Sequence, residues 1–167
     1  MTLKTENLFG DTLNEYYDNQ SDEEDRISFV ARTTARSITN NAVPVNDDQL
    51  FLNVRARTEY NIYLSLKVYI STAPDLKITF TVPTGTTGSL SINSPAGITG
   101  IGITPNPYGM EEEQIVYTST AAYYNMIIEG SFQTTNPGII YLKWAQNTSS
   151  ASQVIMAIGS YMRITKI

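Results

Sequence analysis

Cysteine and histidine are both absent from this chain of 167 residues. Without cysteine there is no disulfide framework and no thiolate metal site. Without histidine the usual general base, the Ser-His and Cys-His nucleophile pairs, and the commonest transition-metal ligand are missing. No apolar run approaches the roughly 20 residues of a membrane-spanning helix. The first residues have neither a basic segment nor an apolar h-region, so no secretory signal is expected. No stretch holds a helical period, and no helix is expected. Only carboxylate chemistry, hard-cation binding, or binding without chemistry stay open.

Charge is sparse and unevenly placed. Residues 1–26 hold eight acids against Lys4 and Arg26, a balance of −6, whereas residues 27–167 hold eight acids and nine bases, a balance of +1. Clustered Lys and Arg are what phosphate backbones require, so neither nucleic acid nor a membrane surface is an expected partner. The acidic stretch has no sustained period. It carries isolated large apolar side chains, Leu8, Phe9, Leu13, Tyr16 and Tyr17. These are too few to form a core and more than a solubility tail needs. Two readings stay open, a solvated tail and an arm that orders in the grooves of a neighbour, and in the second these five are the partner-binding residues.

Strand periodicity dominates the rest. From Tyr60 to Ile70 the apolar residues Tyr60, Ile62, Leu64, Leu66, Val68 and Ile70 alternate with Asn61, Tyr63, Ser65, Lys67 and Tyr69. A period of two places one set in a core and the other outside. Gln49–Val54 and Asp75–Val82 flank this strand, with Asn46-Asp47-Asp48 as turn chemistry before it and Pro83 ending the last. Further strands are expected at Ile27–Thr34, Ser89–Asn93, Gln114–Thr118, Ala122–Phe132, Ile139–Gln146, Val154–Ile158 and Tyr161–Thr165, with Gly159-Ser160 as a bulge or kink. Residues 94–109 carry seven Gly and Pro breakers and read as an irregular loop. The fold class is therefore all-β, an antiparallel β-sandwich of jelly-roll type with an extended N-terminal arm. Residues 1–45 are the arm and 46–167 the sandwich, with residue 27 as the alternative start of the first strand.

Candidate sites are few. Glu111-Glu112-Glu113 with Asp47-Asp48 offers oxygen ligands but no EF-hand spacing, so no metal is expected. No carboxylate pair stands out for glycoside hydrolysis, and neither enzymatic activity nor a cofactor is expected. Tyr63, Tyr69, Tyr123 and Tyr141 fall on the outer parity of their strands. Covering them points to oligomer or surface contacts. Trp144 reads as core. Asn19-Gln20-Ser21 and Asn147-Thr148-Ser149 match the N-glycosylation pattern, read here as coincidence.

Several segments together carry a resemblance. They are Trp144-Ala145-Gln146-Asn147-Thr148-Ser149, Gly159-Ser160-Tyr161-Met162-Arg163-Ile164, Asn46-Asp47-Asp48-Gln49-Leu50, Thr58-Glu59-Tyr60, and Phe80 with Pro83 and Gly85. Taken in chain order they resemble a β-sandwich module of virion proteins in tailed bacteriophages, over about residues 27–167. The resemblance implies a structural protein of the virion. A module standing almost alone behind an acidic arm fits a capsid decoration (cement) protein on the capsid surface, made in the host cytoplasm. A homotrimer bound to the major capsid protein is the implied state. The alternatives are a receptor- or glycan-binding module of a tail or head fibre, using the 94–109 loop and the outer tyrosines, and a neck or tail adaptor.

Overall fold

The computed structural model describes residues 26–93, 98–102 and 108–167. Among them are thirteen strands and no helix: β1 (Ile27–Ala31), β2 (Arg36–Ile38), β3 (Val45–Val54), β4 (Thr58–Ile70), β5 (Leu76–Thr81), β6 (Thr87–Asn93), β7 (Ile98–Gly102), β8 (Tyr108–Gly109), β9 (Gln114–Thr118), β10 (Ala122–Thr134), β11 (Gly138–Gln146), β12 (Val154–Met156) and β13 (Tyr161–Lys166). The larger sheet runs β1-β13-β4-β10-β6-β8, with β12 also on β4 and β2 on β12; the smaller runs β3-β11-β5-β9-β7. Every pairing is antiparallel. The chain is an antiparallel β-sandwich.

The period of two in the sequence becomes the core. Leu64, Leu66, Val68 and Ile70 of β4, Met126 and Ile128 of β10, and Met162 of β13 are fully buried from one side. Leu50, Leu76, Ile78, Ile140, Leu142 and Trp144 meet them from the other. Each such side chain contributes about 1.5–3 kcal/mol by leaving water. Two-sheet closure needs both sets.

β4 is long enough to hold two successive partners on one edge. Met156 lies opposite Val68, and Tyr161 lies opposite Ser65. Five residues therefore advance against three, and residues 157–160 take up the excess. Gly159 turns there at φ +82°, where side chains are strained. The Ser160 hydroxyl accepts from the Lys67 amide (2.9 Å), and the Ala157 amide donates to the Lys67 carbonyl (2.8 Å). The kink expected at Gly159-Ser160 is this detour.

Two boundaries differ from the sequence expectation. Residues 27–38 lie in the larger sheet, because β1 pairs with β13 and β2 with β12. Residues 27–45 thus go with the sandwich rather than an arm, while residues 1–25 lie outside the described residues. Asn46-Asp47-Asp48 is not a turn before a strand; it sits inside β3. Between Phe51 opposite Tyr141 and Asn46 opposite Lys143, β3 carries three extra residues. Asx chemistry makes that bulge: Asp47 Oδ1 accepts from the amides of Gln49 (3.0 Å) and Leu50 (2.8 Å).

The bulge turns the Asp47 carboxylate inward. There its Oδ2 accepts from the Trp144 indole (2.8 Å) and its Oδ1 from Arg32 Nη1. Both side chains of the Arg32–Asp47 pair are completely buried. Arg32 also donates to Asp48 (2.8 Å) and, through Nε, to the Thr34 carbonyl (3.0 Å). Arg36 lies over the Trp144 ring at 5.9 Å. Removing one member of a buried ion pair leaves an uncompensated charge, whereas replacing both with apolar groups does not. Asp47→Ala should therefore cost about 3–5 kcal/mol in urea unfolding, and Arg32→Met with Asp47→Leu should recover most of that loss. An unchanged midpoint for Asp47→Ala would refute this role.

Asp48 gives the network an acid limb. Desolvation raises its carboxyl pKa, but the Arg32 hydrogen bond and charge, aided by Arg36, outweigh it and hold the pKa below the usual value. A depressed folded pKa gives stability that is present above the unfolded value of about 3.9 and lost as pH falls through the folded one. The denaturation midpoint should drop on acidification below about pH 4, and Asp48→Asn should flatten that drop. Parallel acid curves for the two proteins would contradict the assignment.

Candidate functional site on the outer face of the larger sheet

The side chains that point away from the core on β4, β10, β13 and β6 stand in register. Ser89, Ser131, Asn61 and Thr165 form one row across the four strands, and Ser91, Glu129, Tyr63 and Arg163 form the next. Beside them runs an aromatic ladder. Tyr63 stacks on Tyr161 at 5.9 Å between centroids, Tyr161 tilts against Phe29 at 5.4 Å, and the Arg163 guanidinium lies 5.5 Å over the Tyr63 ring. Arginine on an aromatic face gains from the ring quadrupole while keeping its N–H groups at the rim.

Short side chains between these taller ones leave a basin of about 560 Å³, floored around Gly130. Glycine is required there. A Cβ on residue 130 would stand 2.1 Å from the Ser89 carbonyl oxygen and 3.0 Å from Leu90, so β10 and β6 approach only without one. The hydroxyls of Ser89, Ser91, Ser131 and Thr165 and the Asn61 amide make no hydrogen bond to another described residue. Glu129 accepts from the Asn93 amide nitrogen (2.7 Å). Burial first, then the neighbouring Tyr161 phenol and the Glu129 carboxylate, pushes the Tyr63 phenol above its ordinary range, with Arg163 opposing. Tyr63 therefore keeps its proton and stays a donor.

The four tyrosines chosen from sequence fall in three places. Tyr63 is half-buried in the basin wall. Tyr69 and Tyr123 oppose each other across β4 and β10, 5.2 Å apart, with Tyr123 at 65% exposure. Tyr141 lies on the outside of the other sheet, opposite Phe51 at 5.3 Å. Leu8, Phe9, Leu13, Tyr16 and Tyr17 lie outside the described residues, as do residues 94–97 and 103–107 of the expected loop. Phe29, Tyr161, Arg163 and Glu129 were missed. Strand parity places the last three on the outer face, but register alone brings them together.

The acids weighed as ligands are committed elsewhere. Asp47 and Asp48 hold Arg32, Glu113 pairs with Lys77 at 3.2 Å, and Glu112 accepts from the Gly109 amide (3.0 Å). Among the described residues no three acids gather into a metal site. Among the described residues, Glu129 is the one carboxylate lining the basin.

No protein-family profile matches the chain. No curated protein matches it in sequence. Among solved structures, the tripod (BppUct-A-L) from the baseplate of bacteriophage Tuc2009 aligns at 9% identity and a TM-score of 0.32, over 99% of this chain and 72% of that one. The structure of infectious bursal disease virus Gx strain aligns at 13% identity and a TM-score of 0.23, over 84% of this chain and 40% of that one. The infectious bursal disease virus VP2 subviral particle aligns at 11% and 0.24, over 84% and 39%. The chain thus spans about two fifths of the bursal disease virus chains. At these scores the likenesses carry no functional argument.

A raised phenol pKa means that the folded state favours neutral Tyr63, so stability is lost as pH rises through and above about 10. Ultraviolet titration should show a phenol ionising above the ordinary range, absent from Tyr63→Phe. The variant should also lose less stability than the parent as pH rises above about 10. A late phenol that persists in Tyr63→Phe would overturn the assignment.

Proposed function

We propose that this chain is a structural protein of a tailed-phage virion, and more narrowly a capsid decoration protein. In this reading the sandwich sits on the head as a homotrimer. Residues 1–26 cross seams between major capsid proteins, with Leu8, Phe9, Leu13, Tyr16 and Tyr17 filling grooves in them. No catalytic step and no cofactor is involved.

One observation carries the reading: an arm with a balance of −6 and five large apolar side chains is joined to a sandwich with a balance of +1. Such a segment cannot form a core by itself and gains by burying those side chains on a neighbour, at about 25 cal/mol per Å² against the entropy of ordering. The sandwich adds exposed aromatic contacts on both outer faces, Tyr69 with Tyr123 and Tyr141 with Phe51. Ile27 and Phe29 are exposed on the edge strand β1. The motif resemblance to phage virion modules agrees with this assignment.

The polar basin favours a second reading, a receptor- or glycan-binding module at a tail or head fibre. Labelling of particles separates the two, since decoration marks the whole head and a fibre or neck part marks one vertex. Deleting residues 1–26 should lower occupancy on purified heads by at least about tenfold, equivalent to 1.4 kcal/mol, with the β-sheet circular dichroism and melting of the sandwich retained. Full occupancy of heads by the deleted protein would refute the arm's role.

A further inference from the structure

We propose that the basin on the outer face of the larger sheet is a saccharide-binding site for a neutral, hydroxyl-rich chain of a surface polysaccharide. This deepens the glycan-binding reading of the basin and rests on it, whether the sandwich is carried on heads or on a fibre.

The first ground is the chemistry of the floor. Ser89, Ser131, Asn61 and Thr165 form a complete row of short donor-acceptor groups, none of them hydrogen-bonded to another described residue. Strand spacing of about 4.8 Å makes that row roughly 14 Å across, and the Ser91–Glu129–Tyr63–Arg163 row lies about 7 Å along the strands. A grid of groups that both donate and accept suits a polyol, whose hydroxyls do the same. Glu129 adds a charged acceptor, while Arg163 and the Tyr63 hydroxyl add donors, and charge-assisted hydrogen bonds are the stronger kind.

Shape and charge exclude the competitors. The volume of about 560 Å³ is that of a ligand pocket, but among its described lining residues the short polar Ser89, Ser91, Ser131, Asn61 and Thr165 outnumber Ile62 and Tyr63, which leaves too little apolar surface for a lipid chain. One base against one acid offers no cluster for phosphate. The polar surface continues past Ser89 and Ser131 into a shallower depression beside Glu59, Thr87 and Gln133, which gives a trough for several sugar units. Ile127 and Tyr161 lie on the row beyond Glu129 and supply the apolar edge that the C–H face of a pyranose needs.

Such a site exchanges water hydrogen bonds for sugar ones. Its single-copy affinity belongs on the order of 1 mM, with tighter apparent binding when many copies are displayed. The test is a titration of the full isotope-labelled chain with malto-, cello-, chito- and galacto-hexaoses, after a screen on an array of bacterial surface polysaccharides. At least one probe should shift the amides of Ser89, Ser91 and Ser131 and the Asn61 side chain. Ser131→Tyr, which fills the floor from outside the core, should weaken that binding by more than about tenfold. Glu129→Gln should weaken it about fivefold, and Tyr141→Ala on the opposite sheet should leave it unchanged. Ser131→Tyr should also leave attachment to heads intact, which separates this site from the arm. The proposal fails if no saccharide on the array or among the hexaoses moves the basin amides. It also fails if binding survives Ser131→Tyr, or if Ser131→Tyr abolishes head attachment without any sugar being bound.

Discussion

The Asp47 carboxylate is the point on which the two sheets agree. It takes the Arg32 guanidinium from the end of β1 in the larger sheet, the Trp144 indole from β11 in the smaller, and two amides from its own bulge in β3. A sandwich held only by apolar contact can slide, because hydrophobic burial has no direction. Hydrogen bonds to a fixed carboxylate have direction, and here they set how β1 meets β3. The net gain from burying the pair is small, since desolvation offsets most of the attraction. Its effect is to make other arrangements costly: any register that moves Arg32 or Asp47 leaves a charge unpaired in the core.

That constraint reaches the outer face through β1 and β13. With Arg32 drawn inward, Ser28 and Val30 share its parity, and Ile27 and Phe29 must point outward at 55% and 59% exposure. Phe29 then meets Tyr161, Tyr161 meets Tyr63, and Tyr63 carries Arg163. The detour at residues 157–160 sets where β13 joins β4, so it also sets which β13 residue stands beside Tyr63. A one-residue slip would exchange the inner and outer faces of the strand. The basin is thus a product of register rather than of any loop.

This explains what was legible in the sequence. The inner face of β4, the β11 set Ile140, Leu142 and Trp144, and the kink at Gly159-Ser160 all follow from alternation and glycine chemistry, which are local. Asn46-Asp47-Asp48 was legible as Asx chemistry but not as a bulge, because the same side-chain-to-backbone bonds serve a turn or an extra residue within a strand. The direction of β1 was illegible. Hydropathy favours Ile27 and Phe29 inside, and only a partner 15 residues away reverses that preference. Tyr63, Tyr69, Tyr123 and Tyr141 look alike by parity, yet they sit on two sheets with three different neighbours. The basin was out of reach because its members lie on four strands, and serines and threonines on an outer face carry no signal until pairing aligns them.

The same placement bears on how copies would meet. A trimer contact over the basin would bury Ser89, Ser91, Ser131, Asn61 and Glu129 and require a partner for each, since an unpaired buried polar group costs about 1–3 kcal/mol. A contact through Ile27 and Phe29 on the β1 edge, or through Phe51 with Tyr141 on the smaller sheet, buries apolar surface already out of the core and leaves few such debts. The exposed aromatic pair of Phe51 and Tyr141 on the smaller sheet and the polar basin on the larger one thus lie on opposite faces of the same sandwich. Packing through the smaller sheet would leave the face of β6 and β10 turned outward, with its polar groups in water.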